Sequence, residues 1–369
     1  MSVRLLVAAP GAPLIHARFA DLPRHLAPGD LLVVNESATI PAAVPAVRDD
    51  GSRVQVHFST PHPEGGDAWL VELRRDGRRV TDGRPGERLS LPGGAGITLT
   101  GTEGLALRPR SPGTDDLSPR SSLHTMGIGT PGDRGPGPPS LPGRDGGPGP
   151  VSRLWVARLE LGGPVVDYLA RHGAPITYAH DPVPRPLSEH QTIFSRVPGS
   201  AEMPSAGRPF THRTLHALAA RGVGVAGVVL HTGVSSLERG ERPYPERYAV
   251  PPATAARVNA TRRAGGRVIA VGTTVTRALE TVAAPGGTVR PGSGWTDLVL
   301  TADRGVRVVD GLVTGWHDDG ASHLDLLEAV GGPALVAASY AAGGRYRRHE
   351  RGDSHLLLRR PAQTAARAA

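Results

Sequence analysis

The chain has 369 residues, enough to bury a large core and to hold two domains. It contains no cysteine, which excludes disulfides, thiolate metal sites and cysteine nucleophiles, and no run approaches the ~18 apolar residues of a membrane span. The formal charge is +8 and no lysine occurs, so each of the 42 side-chain cations is an arginine, a fork that suits phosphate, although GC-rich coding alone gives the same excess.

The first residues, Met1 to Val7, lack a signal-peptide pattern, so a soluble cytoplasmic protein is expected. Residues 3–7, 14–19 and 31–34 read as short strands, the last entered through the turn Pro28-Gly29-Asp30 and left at Asn35-Glu36-Ser37. Alternating segments at 53–58, 68–73, 87–91 and 97–100, separated by Gly, Pro and Asp turns, predict a small antiparallel barrel. From 108 to 150 nearly half of the residues are Pro or Gly, which reads as a disordered insertion, and 153–161 then supplies the barrel strand that the insertion separates from its hairpin partner.

After Gly163 helices and strands alternate: helices at 165–172 and 211–221, the second capped by Thr211, a strand at 223–230, a helix at 252–264 and a strand at 268–271. Strand character returns at 306–309 and 312–313, Ser322 with Asp325 reads as a capping box, and 333–342 is a last helix. The expected fold is an open α/β domain, residues 1–45 and 163–369, interrupted by a small antiparallel β-barrel domain at 46–162.

The pivotal stretch runs from Arg267 to Thr281. Val268 to Val271 is an apolar run too short for a buried helix, Gly272 ends it, Thr273 and Thr274 offer cap hydroxyls, and Val275, Leu279 and Val282 recur at helical spacing. Such a strand–turn–helix either serves the frame alone or offers free N–H groups and a positive dipole end to an anion, worth ~0.3–1 kcal/mol, with Arg277 one turn in. His231 and His317 each follow an apolar strand, as a general acid/base or as satisfied structural groups. Asp297, Asp310 and Asp353 are candidate carboxylates or turn residues; His212 and His216 lie four apart with no third ligand in sight, so no metal is expected. Strands ending in His231, in Gly272-Thr273-Thr274 and near His317 meet at one site if they are neighbours in the sheet.

Taken in order, several motifs resemble the S-adenosylmethionine:tRNA ribosyltransferase-isomerase family of queuosine biosynthesis. They are Pro28 to Asn35 with Ile40-Pro41-Ala42, Gln191 to Phe194, Pro198-Gly199, Pro204 to Gly207, Leu230 to Gly233, Arg267 to Glu280, Gly294 to Asp297, Val308 to Thr314, His317, and Tyr346-Arg347 before Gly352-Asp353. The resemblance implies a barrel-interrupted α/β fold. It further implies transfer of the ribosyl group of S-adenosylmethionine to the aminomethyl of a deazaguanine at the tRNA wobble position, with loss of adenine and methionine and formation of an epoxy-cyclopentane. The chemistry needs a base for the proton beside the sulfonium, an acid for adenine and a basic surface for RNA. On this resemblance Gly272, Thr273, Thr274, Arg277 and Glu280 bind S-adenosylmethionine, and His231, His317 and Asp297 are catalytic.

This sequence departs from the family pattern at loops that follow strands: Asn35-Glu36-Ser37-Ala38 lacks an arginine, Ala206 to Phe210 lacks a histidine, and His231 to Leu237 lacks the second glycine and the Thr-Phe of its motif. Retained strands with altered loops fit a changed substrate. Alternatives are therefore an enzyme of the same fold acting on a small nucleoside-like molecule, or a non-catalytic RNA-binding protein.

Overall fold

The computed structural model of the protein describes residues 3–102, 154–178, 181–234, 244–318 and 323–359. The Pro/Gly-rich stretch at 108–150 and the expected cap Ser322 lie outside them. The chain opens with β1 (Arg4–Ala8), β2 (Ile15–Arg18), β3 (Leu31–Asn35) and the short β4 (Ser37–Thr39). Then come β5 (Ala43–Arg48), β6 (Arg53–Pro61), β7 (Ala68–Arg75), β8 (Arg78–Arg79), β9 (Arg88–Ser90), β10 (Gly96–Thr102) and β11 (Trp155–Glu160). Helix α1 (Val165–His172) leads to β12 (Val197–Ser200), α2 (His212–Ala220), β13 (Gly224–Leu230), β14 (Glu246–Val250) and α3 (Pro252–Arg263). Next are β15 (Val268–Val271), α4 (Thr273–Thr281), β16 (Gly292–Thr296), β17 (Gly311–Thr314), α5 (His323–Gly331), α6 (Pro333–Ala341) and β18 (Ser354–Leu358).

The main sheet is nine-stranded in the order β16-β14-β13-β3-β15-β17-β18-β1-β2, and its four central strands, β13, β3, β15 and β17, are parallel. Successive side chains of a strand point to opposite faces, so a run with no polar position demands cover on both sides. That cover is present. Leu31, Val33, Val268 and Ala270 pack with Ala255 of α3, Leu279 of α4 and Leu327 of α5. Leu32, Val34, Ile269 and Val271 pack on the other face with Phe19, Phe210 and Leu218.

Strands β11, β10, β9, β5, β6 and β7 close an antiparallel ring through the β11–β7 pair, around a second core that includes Val56, Phe58, Leu73 and Leu99. Strand β11 pairs with β10 from Gly96↔Glu160 to Thr102↔Trp155, with a register shift between Leu99 and Gly101, as the sequence pattern predicts for strands flanking an insertion. The architecture is the expected α/β sheet with an antiparallel barrel.

Two local expectations fail. Residues 306–309 form no strand: the buried Glu280 carboxylate accepts the N–H groups of Arg307, Val308 and Val309 at 2.8, 2.8 and 3.2 Å, and amides so engaged are withdrawn from a sheet ladder. Thr273 and Thr274 do not cap α4; the cap position is Gly272, whose φ of 99° a side chain would strain. Strands β14, β16 and β18 carry too little alternation to be predicted. Asp310 and Asp353, candidates by sequence, serve the frame instead: Asp310 accepts the N–H of Val268 at 3.0 Å, and the buried Asp353 holds Arg4 at 2.7 Å and the N–H of Arg347 at 2.8 Å.

Across the amino ends of β3 and β15, Asp30 and Arg267 form an ion pair at 2.5 Å, with side chains 3% and 4% exposed. The same carboxylate accepts the N–H groups of Ala27 and Arg267 at 2.8 and 3.0 Å. Removing one partner of a buried pair strands the other charge. Asp30→Ala is therefore expected to cost about 3–5 kcal/mol, read as a lower urea midpoint at unchanged slope; an unshifted midpoint would refute it.

Candidate active site

Parallel strands bring their carboxyl ends to one edge, and here the ends of β13, β3, β15 and β17 deliver Leu230-His231, Asn35, Gly272-Thr273-Thr274 and Thr314 side by side. Asn35 is 3% exposed and uses its whole carboxamide. Its Nδ2 donates to the Leu230 carbonyl at 2.8 Å and to Thr274 Oγ1 at 3.3 Å, while Oδ1 accepts the N–H groups of Ser37 and Leu230 at 3.0 and 3.1 Å. One side chain thus ties together the ends of two strands and the first turn of α4.

At that turn no side chain caps the helix, and among the described residues the first N–H groups of α4 have no bonded partner before Thr276, whose N–H reaches Gly272 at 3.3 Å. These groups and the helix dipole make a weakly positive end suited to a carboxylate or phosphate.

Arg277 and Glu280 belong to the same helix but do different work. The Arg277 guanidinium donates to the Leu298 carbonyl at 3.1 Å, to the Thr296 carbonyl at 3.1 Å and to Glu246. Three of its N–H groups are thereby engaged, and Glu246 in turn accepts the Gly233 N–H at 3.2 Å. Arg277 therefore braces the segment carrying Asp297 and, through Glu246, the loop after His231. Glu280 is 1% exposed, with both oxygens committed to backbone amides, so the expectation that it faces a ligand is corrected.

His231 follows β13, half-buried, with Nδ1 2.7 Å from Ser37 Oγ. Burial and then the neighbouring Arg247 push its pKa down to about 4, so the ring is neutral at pH 7. His317 lies deeper: Nε2 is 3.2 Å from Thr314 Oγ1, and its ring stacks on His323 with centroids 4.4 Å apart. Burial first, then the nearby His323, His355 and His349, hold it at about 3. Asp297 is exposed between the two carbonyls that Arg277 grips. His212 and His216 are exposed on α2.

His231, Gly272, Thr273, Thr274, Arg277 and Asp297 therefore gather around the carboxyl edge, with the half-buried His317 beside Thr314 at the end of β17, while Glu280 faces inward. Asn35, Ser37, Ser200 and Glu246 hold the candidate site together, and sequence reasoning missed them. Asn35 stood at a strand end, where a buried amide could be sought; the other three carried no local signal.

A family model described as "Queuosine biosynthesis protein" matches residues 1–114 and 151–357. The chain belongs to the queuosine biosynthesis protein family. The S-adenosylmethionine:tRNA ribosyltransferase-isomerase of Methylobacterium sp. (strain 4-46) is 33% identical over 375 residues, covering 97% of this chain and 92% of that protein. Its namesake from Moorella thermoacetica is 34% identical over 372 residues, with 96% and 92% covered. A crystal structure of S-adenosylmethionine tRNA ribosyltransferase from Thermotoga maritima covers 97% of this chain and 93% of its own, with a TM-score of 0.46 and 23% identity. Membership of the queuosine biosynthesis family agrees with the resemblance drawn from the motifs.

The neutral histidines predict acid lability. His57, His231, His317 and His355 have folded pKa values of about 3, 4, 3 and 4, against 6.5 when free in the unfolded chain. Between these values the unfolded chain binds more protons, so stability rises with pH and is lost as pH falls below about 6.5. A loss on the order of several kcal/mol is expected between about pH 6.5 and 4.5, where ordinary carboxylates contribute little. Urea midpoints across that window check it, and a flat profile would remove the histidines from the account.

Proposed function

We propose that the protein transfers and isomerises the ribosyl group of S-adenosylmethionine onto a 7-aminomethyl-7-deazaguanine in tRNA, releasing adenine and methionine and giving epoxyqueuosine. The observation that carries this reading is near-full-length similarity to ribosyltransferase-isomerases in a chain whose strand ends gather a free helix terminus, a neutral histidine and an anchored arginine. S-adenosylmethionine is a substrate here.

In this reading the N–H groups and hydroxyls of Thr273 and Thr274, with Gly272 keeping the approach free of a side chain, hold the methionine carboxylate. Arg277 adds positive potential through the N–H groups that it does not spend on Glu246 and the two carbonyls. His231 handles a proton at the end of β13, Asp297 supplies a solvent-facing carboxylate, and His317 acts from the end of β17. The charge of +8, carried by arginine alone, suits a polyanionic acceptor.

Incubating the purified protein with S-adenosylmethionine and tRNA carrying the deazaguanine precursor is expected to release adenine as the base is modified. No release, beside an active relative as control, overturns the proposal, and release that needs no tRNA assigns the site to a small acceptor. Arg277→Ala is expected to weaken S-adenosylmethionine binding, measured by calorimetry, with an unaltered circular dichroism spectrum; unchanged affinity would remove Arg277 from the site.

A further inference from the structure

His231 does not stand alone. Its Nδ1 is 2.7 Å from Ser37 Oγ, Ser37 Oγ is 2.6 Å from Ser200 Oγ, and Ser200 Oγ accepts the N–H of Thr232 at 3.0 Å. Both serines have no exposed surface. A hydroxyl carries one proton, so this chain has three proton orders, one in which His231 Nδ1 accepts and two in which it donates. Where His231 and Ser200 both donate to Ser37, the Ser37 proton is left without an acceptor, and the other two orders are distinguished by the buried surroundings.

In the first order Ser200 donates to Ser37 and Ser37 donates to His231 Nδ1. Every proton has an acceptor, the Thr232 N–H occupies a lone pair on Ser200, and the ring carries its proton on Nε2. In the second, His231 Nδ1–H donates to Ser37, which donates to Ser200. Ser200 then accepts twice, and its own proton has no bonded acceptor among the described residues. A fully buried hydroxyl proton left unpartnered is the costlier arrangement. We infer that Ser37 and Ser200 are positioning residues that lock the neutral His231 ring with its proton on Nε2, making it a hydrogen-bond donor to the ligand in the cleft rather than a base.

Steric fit holds the same orientation. A Cβ added at Gly199 would lie 2.6 Å from both Nδ1 and Cε1 of His231, so a side chain at 199 displaces the ring. Arg247, whose backbone carbonyl accepts the His231 N–H at 2.9 Å, adds a positive charge that disfavours a second proton on the imidazole. A neutral Nε2–H selects an atom with a free lone pair. In the proposed reaction the ring nitrogens of adenine carry such lone pairs, and they are the atoms that the test probes. This choice of ligand atom rests on the proposed reaction; the tautomer does not.

The test uses the full chain labelled with 15N-histidine, with long-range proton–nitrogen spectra at pH 7 and the His231 signals identified by their loss in His231→Gln. The expected result is a protonated Nε2 and a bare Nδ1, and a proton on Nδ1 overturns the inference. Ser37→Ala and Ser200→Ala are each expected to give a mixture of tautomers, while Ser37→Thr, which keeps the hydroxyl, restores the single form. A single Nε2–H form persisting in both alanine variants, each folded by near-ultraviolet circular dichroism, removes the serines from the role. Adding adenine is expected to shift the His231 Nε2–H signal, and no shift at saturation discards adenine as its target. For adenine release, Ser37→Ala is expected to lower kcat by about tenfold to hundredfold with KM within about twofold, the range for removing a group that orients another. The spectra need no turnover, so failure of the proposed reaction leaves the tautomer standing, and a proton on Nδ1 in an active enzyme rejects the tautomer alone.

Discussion

The four hydrogen bonds of the Asn35 carboxamide are the constraint on which the site depends. The central strands β13, β3, β15 and β17 are apolar until their carboxyl ends, so the polar groups they offer are confined to those ends. At the end of β3 the register with β13 stops at Val228↔Asn35, and the Asn35 side chain continues the ladder by bonding both the N–H and the carbonyl of Leu230. Its remaining donor and acceptor capacity reaches Thr274 and Ser37, so the α4 turn and the serine relay share one anchor. An aspartate of the same shape has no N–H to give Leu230 or Thr274, and an alanine leaves the Leu230 groups without the partners they have here.

Helix α4 shows why a motif is a poor guide to which of its residues meet a ligand. Thr273, Arg277 and Glu280 stand at i, i+4 and i+7 and share one helix face, and what separates them is height, since Glu280 lies about 10 Å along the axis from Thr273. Glu280 goes inward, where three amides of the 307–309 segment offset the burial of its charge and hold that segment out of the sheet. Arg277 lies between Glu246 and two carbonyls. Through the Glu246 bond it also steadies Gly233.

The parts of the fold legible in the sequence are those with a local cause. Apolar runs such as Leu31 to Val34 and Val268 to Val271 announce doubly covered strands, and Thr211 caps α2 by accepting the Thr214 N–H at 3.2 Å as its position suggests. What was hidden depends on partners far along the chain. Val306 to Val309 has the composition of a strand, but Glu280 takes its N–H groups and Arg262 and Arg359 bond its carbonyls, which keeps it a loop. Ser354 to Leu358 is buried throughout as β18, but a serine and a histidine at its head disguise it. In the site, His231 and the glycine–threonine turn were visible because they end strands. Ser200 lies 163 positions from Ser37 and carries no pattern that would pair the two.

A sheet can set the Cα position of His231, but it cannot orient the ring, and here the barrel side completes the task. The loop that follows β13 is pressed against barrel strand β6: the Val234 N–H donates to Ser59 Oγ at 3.0 Å, and a Cβ at Gly233 would lie 2.5 Å from that oxygen. Thr232 meets the segment after β12 twice, donating its hydroxyl to the Glu202 carbonyl at 2.8 Å and accepting the Ala201 N–H at 2.8 Å. The Thr232 N–H that bonds Ser200 is thus held by the docking of this loop. The barrel strands leave the chain just beyond β4 and return before β12, so β4 and β12, which pair with each other and carry Ser37 and Ser200, lie where the sheet and the barrel meet. An arrangement with the barrel displaced would keep the strand ends and the free terminus of α4 but would release the loop that orients His231. On the proposed reading, anion binding would rest on the sheet alone, whereas the hydrogen-bonding polarity of His231 would rest on the contact between sheet and barrel.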